Sequence, residues 1–204
     1  MEAALTLLDR SGDLPLPRIK YALGRAQEQT TRAGHIVERI RGFGKRGDGE
    51  RQIEALSPLI KEAVELALLG VRQKGVSIKF EDGAPDIRIL ANKIEIQQVL
   101  TNLLRNAAEA VADREHPSIA VRTEVRDGTV RVSVSDNGPG LPDQVQAKLF
   151  QPFVTTKKTG MGVGLSISHS IITDHGGRLR AEASPEGGAT FVIALPVAEE
   201  LLYA

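Results

Sequence analysis

The residues that first suggest chemistry are three glycines, at positions 160, 162 and 164, in the stretch FVTTKKTGMGVGLSISHSII. Two lysines come shortly before them, and a segment with the apolar spacing of a helix follows. Unpaired N–H groups and the dipole at the start of a helix favour phosphate, so this pattern could form a phosphate-binding turn. Glycine also collects in flexible loops and helix caps, and the pattern alone does not separate these possibilities.

Two asparagines, Asn102 and Asn106, lie one turn apart on the helix predicted for KIEIQQVLTNLLRNAAEAV. They belong to a polar stripe that runs beside the apolar face of this helix. Asparagine is unfavourable in the middle of a helix, so two of them need a reason. The pair is typical either of a solvated face or of amide oxygens offered to a hard cation such as Mg²⁺.

A carboxylate, Asp136, ends the alternating strand of VSVSDNGPGLP and is followed by Gly138 and Gly140. Asp-Asn-Gly is common in turns, and a turn alone would explain it. The glycines would also let a flat ligand approach the backbone. Because a carboxylate only accepts hydrogen bonds, it would select the amino group of adenine over the carbonyl of guanine.

The composition is that of an ordinary globular protein, with 204 residues, 41% of them hydrophobic and 25% charged. A formal net charge of zero gives no general attraction to nucleic acid or to anionic membranes. The lack of cysteine excludes disulfides and thiolate metal sites. No apolar run approaches the roughly eighteen residues that span a bilayer, so we expect a cytoplasmic protein without membrane or nucleic-acid contact.

Residues 1–47 are predicted to form a helical hairpin. Eight basic residues against two acidic ones lie between Arg18 and Arg46, and apolar or small residues recur every seven positions. The recurring residues are Ile19, Ala26, Ala33 and Ile40. We expect this hairpin to dimerise, since two helices cannot bury such a stripe alone; a basic, solvated helix packed on its own domain is the alternative.

Residues 52–204 are predicted to form an α/β domain after a linker-like GKRGDGERQ. A helix capped by Ser57 precedes two strands, VSIKFED and IRILAN, and a long helix covers about Lys93 to Ala112. A hairpin that turns at Asp127-Gly128 comes next. The glycine segment then opens another helix, and GRLRAEASPEGGATFVIALP closes with a second hairpin.

The order of these motifs resembles the ATP-binding domain shared by gyrase, heat-shock chaperone ATPases, sensor histidine kinases and mismatch-repair MutL. Asn-x-x-x-Asn, Asp-x-Gly-x-Gly, Phe-x-x-Phe, Gly-x-Gly-x-Gly and Gly-Gly-x-Thr-Phe follow one another over about ninety residues. Within this group the chain is similar to sensor histidine kinases of the FixL and NtrB kind. RAGHIVERIRGF, LFQPFVTTKKTGMGVGLSISHSII and EGGATFVIALP carry that likeness, from about Arg18 to Pro196.

The resemblance implies an α+β fold. Helices would cover one face of a mixed, mainly antiparallel sheet, after half of a four-helix bundle with a truncated first helix. ATP would lie under a lid, and the domain would work with Mg²⁺, as a homodimer, and with the receiver domain of a response regulator.

The resemblance also implies roles for individual residues. Asn106 would bind Mg²⁺ with Asn102 beside it, and Asp136 would bind the adenine amine. Phe150 and Phe153 would anchor the lid, and Lys157 and Arg105 would neutralise phosphate charge. The other residues implied in nucleotide binding are Gly138, Gly140, Gly160, Gly162, Gly164, Leu165 and Thr190.

The residue one turn before the metal-binding asparagine separates two activities. Gyrase-like ATPases have a glutamate there that activates water, whereas this chain has Asn102, an amide that cannot take a proton at neutral pH. The sequence therefore favours transfer of the γ-phosphoryl group to a histidine.

That histidine is not evident, since none of the four histidines, His35, His116, His169 and His175, has the family's acceptor context. We expect it upstream and expect no autophosphorylation by this chain alone. The alternatives are a non-catalytic relative that binds nucleotide or a response regulator, an anti-sigma-type serine kinase, and, least supported, a DNA-binding protein.

Overall fold

A computed structural model of the chain describes residues 50–71, 75–142, 148–155, 162–184 and 187–198. All of them belong to the second of two units into which the chain divides, Gly49–Ala204. The predicted hairpin of residues 1–47, with its heptad stripe and its dimer contacts, lies outside the described residues. Its boundary with the α/β domain therefore stays a prediction.

The described part alternates short strands with three helices. In chain order the elements are β1 Gln52–Ala55, α1 Leu56–Val71, β2 Ser77–Asp82, β3 Arg88–Ala91, α2 Lys93–Ala110, β4 Ser118–Arg126, β5 Thr129–Asp136, α3 Gly164–Asp174, β6 Arg178–Ala183 and β7 Ala189–Pro196.

The main sheet has five strands in the order β2-β4-β5-β7-β6. The β2–β4 pair is parallel and the other three pairs are antiparallel. On the central strands alternate residues face the helices and are buried, as Val130, Val132 and Val134 show on β5, while Arg131 between them is exposed. The α+β fold with a mixed, mainly antiparallel sheet is thereby confirmed.

The strands β1 and β3 form a separate antiparallel pair, in which Gln52 lies opposite Ala91. The sequence analysis missed β1, because its four residues are almost all exposed and continue a charged, glycine-rich stretch. It also gave no sign that VSIKFED and IRILAN belong to different sheets.

Asn92 is the N-cap of the long helix α2. Its side-chain Oδ1 accepts hydrogen bonds from the backbone N–H groups of Ile94 and Glu95. The helix ends two residues before the predicted Ala112, and Val111 forms its C-cap. Its apolar face is fully covered. The buried residues of α2 are Ile96, Val99, Leu100, Leu103, Leu104, Ala107 and Ala108.

His175 is the C-cap of α3, and its imidazole is buried. Through hydrogen bonds this imidazole connects the end of α3 to the start of α2. Its Nε2 accepts from the backbone N–H of Asn92 at 3.1 Å, and its Nδ1 lies 2.8 Å from the carbonyl oxygen of Ile171. Both bonds together require the tautomer with the proton on Nδ1.

A carboxylate, Asp82, connects α1, β2 and β4. Ser57 is predicted to cap α1, but this helix begins at Leu56 and so includes Ser57. The hydroxyl of Ser57 instead donates a hydrogen bond to Asp82 at 2.5 Å. Thr123 Oγ1 and the N–H of Ala84 donate to the other carboxylate oxygen. Burial opposes ionisation, but these three hydrogen bonds outweigh it and hold the pKa of Asp82 below its usual value.

We predict that Asp82→Ala lowers the free energy of unfolding by about 1–3 kcal/mol at pH 7, because two hydroxyl donors lose their acceptor. A carboxyl with a lowered pKa stabilises the fold above its unfolded pKa of about 3.9, and this contribution is lost as the pH falls through the folded pKa. Urea unfolding at several pH values should therefore show the difference shrinking in acid.

The control is Asp86→Ala, at an exposed aspartate four residues away. Equal losses in the two variants, or a difference that does not depend on pH, would contradict this account of Asp82.

Candidate functional site

Asn102 links α2 to α3 through its side-chain amide. Its Nδ2 donates to the hydroxyl of Ser168 at 2.9 Å, and its Oδ1 accepts from Nη2 of Arg105 at 3.4 Å. Arg105 is exposed and also forms an ion pair with Glu109. Both predicted residues thus lie on the polar side of α2, and Asn102 is held against α3 rather than pointing freely into solvent.

The start of α3 comes very close to α2 at Gly164. A Cβ added at this glycine would lie 2.6 Å from Oδ1 of Asn102, closer than real Cβ atoms come to a neighbouring atom. Val163, the N-cap, makes no side-chain capping bond, so the first N–H groups of α3 have no side-chain acceptor there. Leu165 is half-buried and packs against the core.

Gly162, two residues before α3, lies against the backbone of Phe153 and Val154. A Cβ at Gly162 would overlap Val154, and both Phe153 and Gly162 have positive φ angles, 66° and 67°. Lys157 and Gly160, which the resemblance implied in phosphate binding, lie outside the described residues.

The two phenylalanines expected to anchor the lid differ in their surroundings. Phe150 packs against the core, and its ring centroid lies 5.1 Å from that of His169. Phe153 is 79% exposed, and its role as a lid anchor stays a prediction.

Asp136 ends β5 with only 4% of its surface exposed. Its Oδ1 accepts from the N–H of Gly138 at 2.8 Å and from the N–H of Ala189 at 3.3 Å. Within the described part of the chain, no group donates to its Oδ2. Burial raises the pKa of Asp136, against the opposing effect of these two bonds and of the nearby Arg114.

Glycines surround Asp136 because other chain segments pass too close for a side chain. A Cβ at Gly138 would lie 3.0 Å from the Cβ of Ala110 on α2, and one at Gly188 would overlap the Asp136 backbone. Gly140 has a φ of 81°, which favours glycine. Asp136 is thus enclosed by the end of α2 and by the turn before β7.

Thr190 is not brought together with Asp136. It pairs with Ser135 across the sheet, and their hydroxyls are hydrogen-bonded at 2.9 Å. Because neighbouring residues of a strand point to opposite faces, Asp136 lies on the helix-covered face and Thr190 on the other. Gly188 and Ala189 are the residues of this motif that lie against Asp136, and the role of Thr190 in supporting the base stays a prediction.

The contacts with α2 set the spacing of the site. Gly164 touches α2 at Asn102 and Gly138 touches it at Ala110, eight residues further on, which is about 12 Å along the helix. Asn106 lies midway and is half-buried. Mg²⁺ typically takes one or two protein oxygens and completes its shell with phosphates and waters, so a single amide such as Asn106 fits its chemistry.

Sequence reasoning missed the groups that hold the predicted ones in place. They include Ser168 on α3, the N–H of Ala189, and Arg114, whose Nη2 donates to the carbonyl oxygen of Gly138. Ser168 lies one turn after Gly164, and that spacing could have suggested it; nothing in the pattern around Arg114 distinguishes it from a surface arginine.

Comparison with known proteins identifies the family. Residues 91–199 match the family model described as histidine kinase-, DNA gyrase B-, and HSP90-like ATPase. The chain belongs to this family. The matched segment contains α2, the Asp136 turn and α3, and with them the five ordered motifs, whereas RAGHIVERIRGF lies before it.

Within this family, the similar proteins and structures are sensor histidine kinases. The sensor protein FixL of Bradyrhizobium diazoefficiens is 48% identical over 202 residues, which are 98% of this chain and 40% of FixL. A structure of the catalytic domain of histidine kinase ThkA is 38% identical, with a TM-score of 0.66, over 72% of this chain and 95% of that one. The predicted resemblance and fold are confirmed.

A second similar structure is histidine kinase ThkA in complex with response regulator protein TrrA. It is 32% identical, with a TM-score of 0.74, over 96% of this chain and 56% of that one. The chain thus spans less than half of FixL and just over half of this ThkA chain. Among the described helices, none has both the length and the apolar character needed to cross a membrane.

We predict that Gly164→Ala destabilises the domain by about 1–3 kcal/mol, because the new methyl group and Asn102 would compete for the same space. In a double-mutant cycle by urea unfolding, Gly164→Ala should cost much less in an Asn102→Ala background. Additive losses would show that the strain at Gly164 does not come from Asn102.

A second prediction concerns Asp136→Asn. An acid with a raised pKa stabilises the fold most below its unfolded pKa of about 3.9, and this is lost as the pH rises through the folded pKa. Asparagine has no charge to desolvate, and its Oδ1 can accept the same two N–H bonds. The melting temperature of Asp136→Asn at pH 7 should therefore equal or exceed that of the wild type, with the gap closing in acid.

Circular dichroism melts between pH 4 and 8 would measure this. A melting temperature clearly below the wild type at pH 7 would mean that the ionised carboxylate stabilises the fold.

Proposed function

We propose that this chain binds ATP with Mg²⁺ and acts as the catalytic region of a sensor histidine kinase. It would transfer the γ-phosphoryl group to a histidine that is not among its own four. The observation that carries this proposal is Asp136: the fold buries this carboxylate, uses one oxygen internally and leaves the other for a ligand.

Adenine would bind at Asp136. The free Oδ2 would accept from the exocyclic amine, while Oδ1, held by the N–H groups of Gly138 and Ala189, fixes the direction of the carboxylate. A guanine carbonyl at the same place would face an acceptor and be rejected. Gly138 and Gly140 would form the wall of this pocket without a side chain to block the base.

The phosphates would lie towards α3, about 12 Å from the base along α2. Uncapped N–H groups at Gly164 and Leu165 and the helix dipole favour negative charge there. Gly162, together with Gly160, Lys157 and Arg105, would complete the phosphate environment, and Phe153 would flank the segment that covers it. Asn106 would hold Mg²⁺, which when bound neutralises charge on the phosphate oxygens.

The placement of Asn102 favours transfer over hydrolysis. Its amide donates to Ser168 and accepts from Arg105, and an amide has no site for taking a proton from water. The chain's part in the reaction would then be to position ATP and its metal for attack by a histidine nucleophile.

The partners follow from the relatives. ThkA, whose structure is similar to this chain, forms a complex with the response regulator TrrA. We infer that this chain also works with a response regulator receiver domain, as a homodimer through its N-terminal helices. We also propose a cytoplasmic location, because the proposed reaction would consume ATP.

A calorimetric titration with a non-hydrolysable ATP analogue and Mg²⁺ tests nucleotide binding. The chain should bind in the micromolar range, and Asp136→Asn should weaken binding at least tenfold because one strong acceptor becomes a donor. Asp86→Asn, the same change at an exposed aspartate, should leave the affinity unchanged. No binding by the wild-type chain would overturn the proposal.

Phosphoryl transfer needs a second measurement. Radiolabelled ATP would be added with the helical bundle of a related kinase that carries its acceptor histidine. Acid-labile label on that bundle, absent with Asp136→Asn, is the expected result. Binding without transfer, and with label released as free phosphate instead, would identify an ATPase.

A further inference from the structure

The turn after Asp136 is hydrogen-bonded to residues 114–118, which follow α2 and include the first residue of β4. Asn137 Nδ2 donates to the carbonyl oxygen of His116 at 2.7 Å, and Asn137 Oδ1 accepts from the N–H of Ser118 at 3.0 Å. Arg114 Nη2 donates to the carbonyl oxygen of Gly138. This segment therefore contacts two consecutive residues after Asp136.

The contact from Arg114 reaches the residue that orients the carboxylate. The N–H of Gly138 donates to Oδ1 of Asp136, while the carbonyl of the same residue accepts from Arg114. Gly138 is thus hydrogen-bonded through both of its backbone groups. Its N–H orients Oδ1 of Asp136, and its carbonyl is bonded to Arg114 in the loop after α2. Close packing against Ala110 leaves it little freedom to shift otherwise.

We propose that Arg114 is a positioning residue for adenine recognition: by holding the Gly138 carbonyl, its guanidinium keeps the turn in the conformation that presents the free oxygen of Asp136 to the base. This inference rests on the proposed ATP binding. Arg114 itself does not touch the base; it acts through Gly138 and Asp136.

The charge of Arg114 works in the same direction as its hydrogen bond. Burial raises the pKa of Asp136, and the guanidinium, after the N–H groups of Gly138 and Ala189, opposes that rise and so favours the ionised carboxylate, which only accepts hydrogen bonds. A neutral carboxyl could donate to a guanine carbonyl. Arg114 should therefore contribute to selectivity for adenine as well as to affinity.

A general loss of stability would not produce the pattern that a positioning role predicts. The base contact lies about 12 Å along α2 from the phosphate end, so losing Arg114 should weaken ADP and the ATP analogue by the same factor. Inorganic triphosphate, which has no base, should bind as before. A distorted domain would alter phosphate binding and the melting temperature as well.

The experiment compares Arg114→Gln with Arg126→Gln in the full chain, by calorimetry and thermal melts. Arg126 is an exposed arginine at the other end of β4, paired with Asp127. Arg114→Gln should weaken both adenine nucleotides about three- to tenfold, equivalent to about 0.7–1.4 kcal/mol, and should lower the preference for ATP over GTP. Arg126→Gln should change neither.

Unchanged adenine affinity in Arg114→Gln, or a loss shared by inorganic triphosphate, would overturn the positioning role. If Arg114→Gln fails to fold, Arg114→Lys gives the same comparison, because lysine keeps the charge but not the planar fork; a loss of adenine affinity there supports the role and no loss refutes it. If the wild-type chain binds no adenine nucleotide, the proposed function fails too. Wild-type binding that Asp136→Asn removes and Arg114→Gln preserves would refute only this inference.

Discussion

The burial of one face of α2 is the constraint on which the rest of the domain depends. Seven of its eighteen residues are buried, and their spacing fixes how the helix is rotated against the sheet. That rotation leaves Asn102 on the flank that meets α3, with Asn106 one turn further along the helix. The end of the same helix supports Gly138, so a single packed element sets both the direction and the separation of the groups that would bind a nucleotide.

Several glycines in this domain serve close approach more than flexibility. Gly138, Gly164 and Gly188 each sit where a neighbouring atom occupies the space of a Cβ. Each of these contacts joins segments that are distant in sequence. Glycine-rich stretches are typical of mobile loops. At these three positions, however, the glycines belong to the packed framework around Asp136 and Asn102.

The sequence was sufficient for features that depend on local periodicity. Such features can be predicted from the residues of a single helix, strand or hairpin. Examples are the apolar spacing of α2, the Asp127-Gly128 hairpin and the strand alternation that ends at Asp136. The features that it missed depend on pairing or on tertiary contact. β1 is too short and exposed to carry a pattern, and the bond from Arg114 to Gly138 joins residues 24 positions apart. The hydrogen bond between Thr190 and Ser135 likewise depends on the register of two strands that are distant in sequence.

The imidazole of His175 gives α3 a fixed end. A neutral imidazole donates from one edge and accepts at the other, so the last turn of α3 and the N-terminus of α2 share a single side chain. The opposite end of α3, at Gly164, lies about 16 Å away. The direction of α3 against α2 is therefore set at both ends of the helix, by the imidazole of His175 at one end and by the close approach of Gly164 to Asn102 at the other.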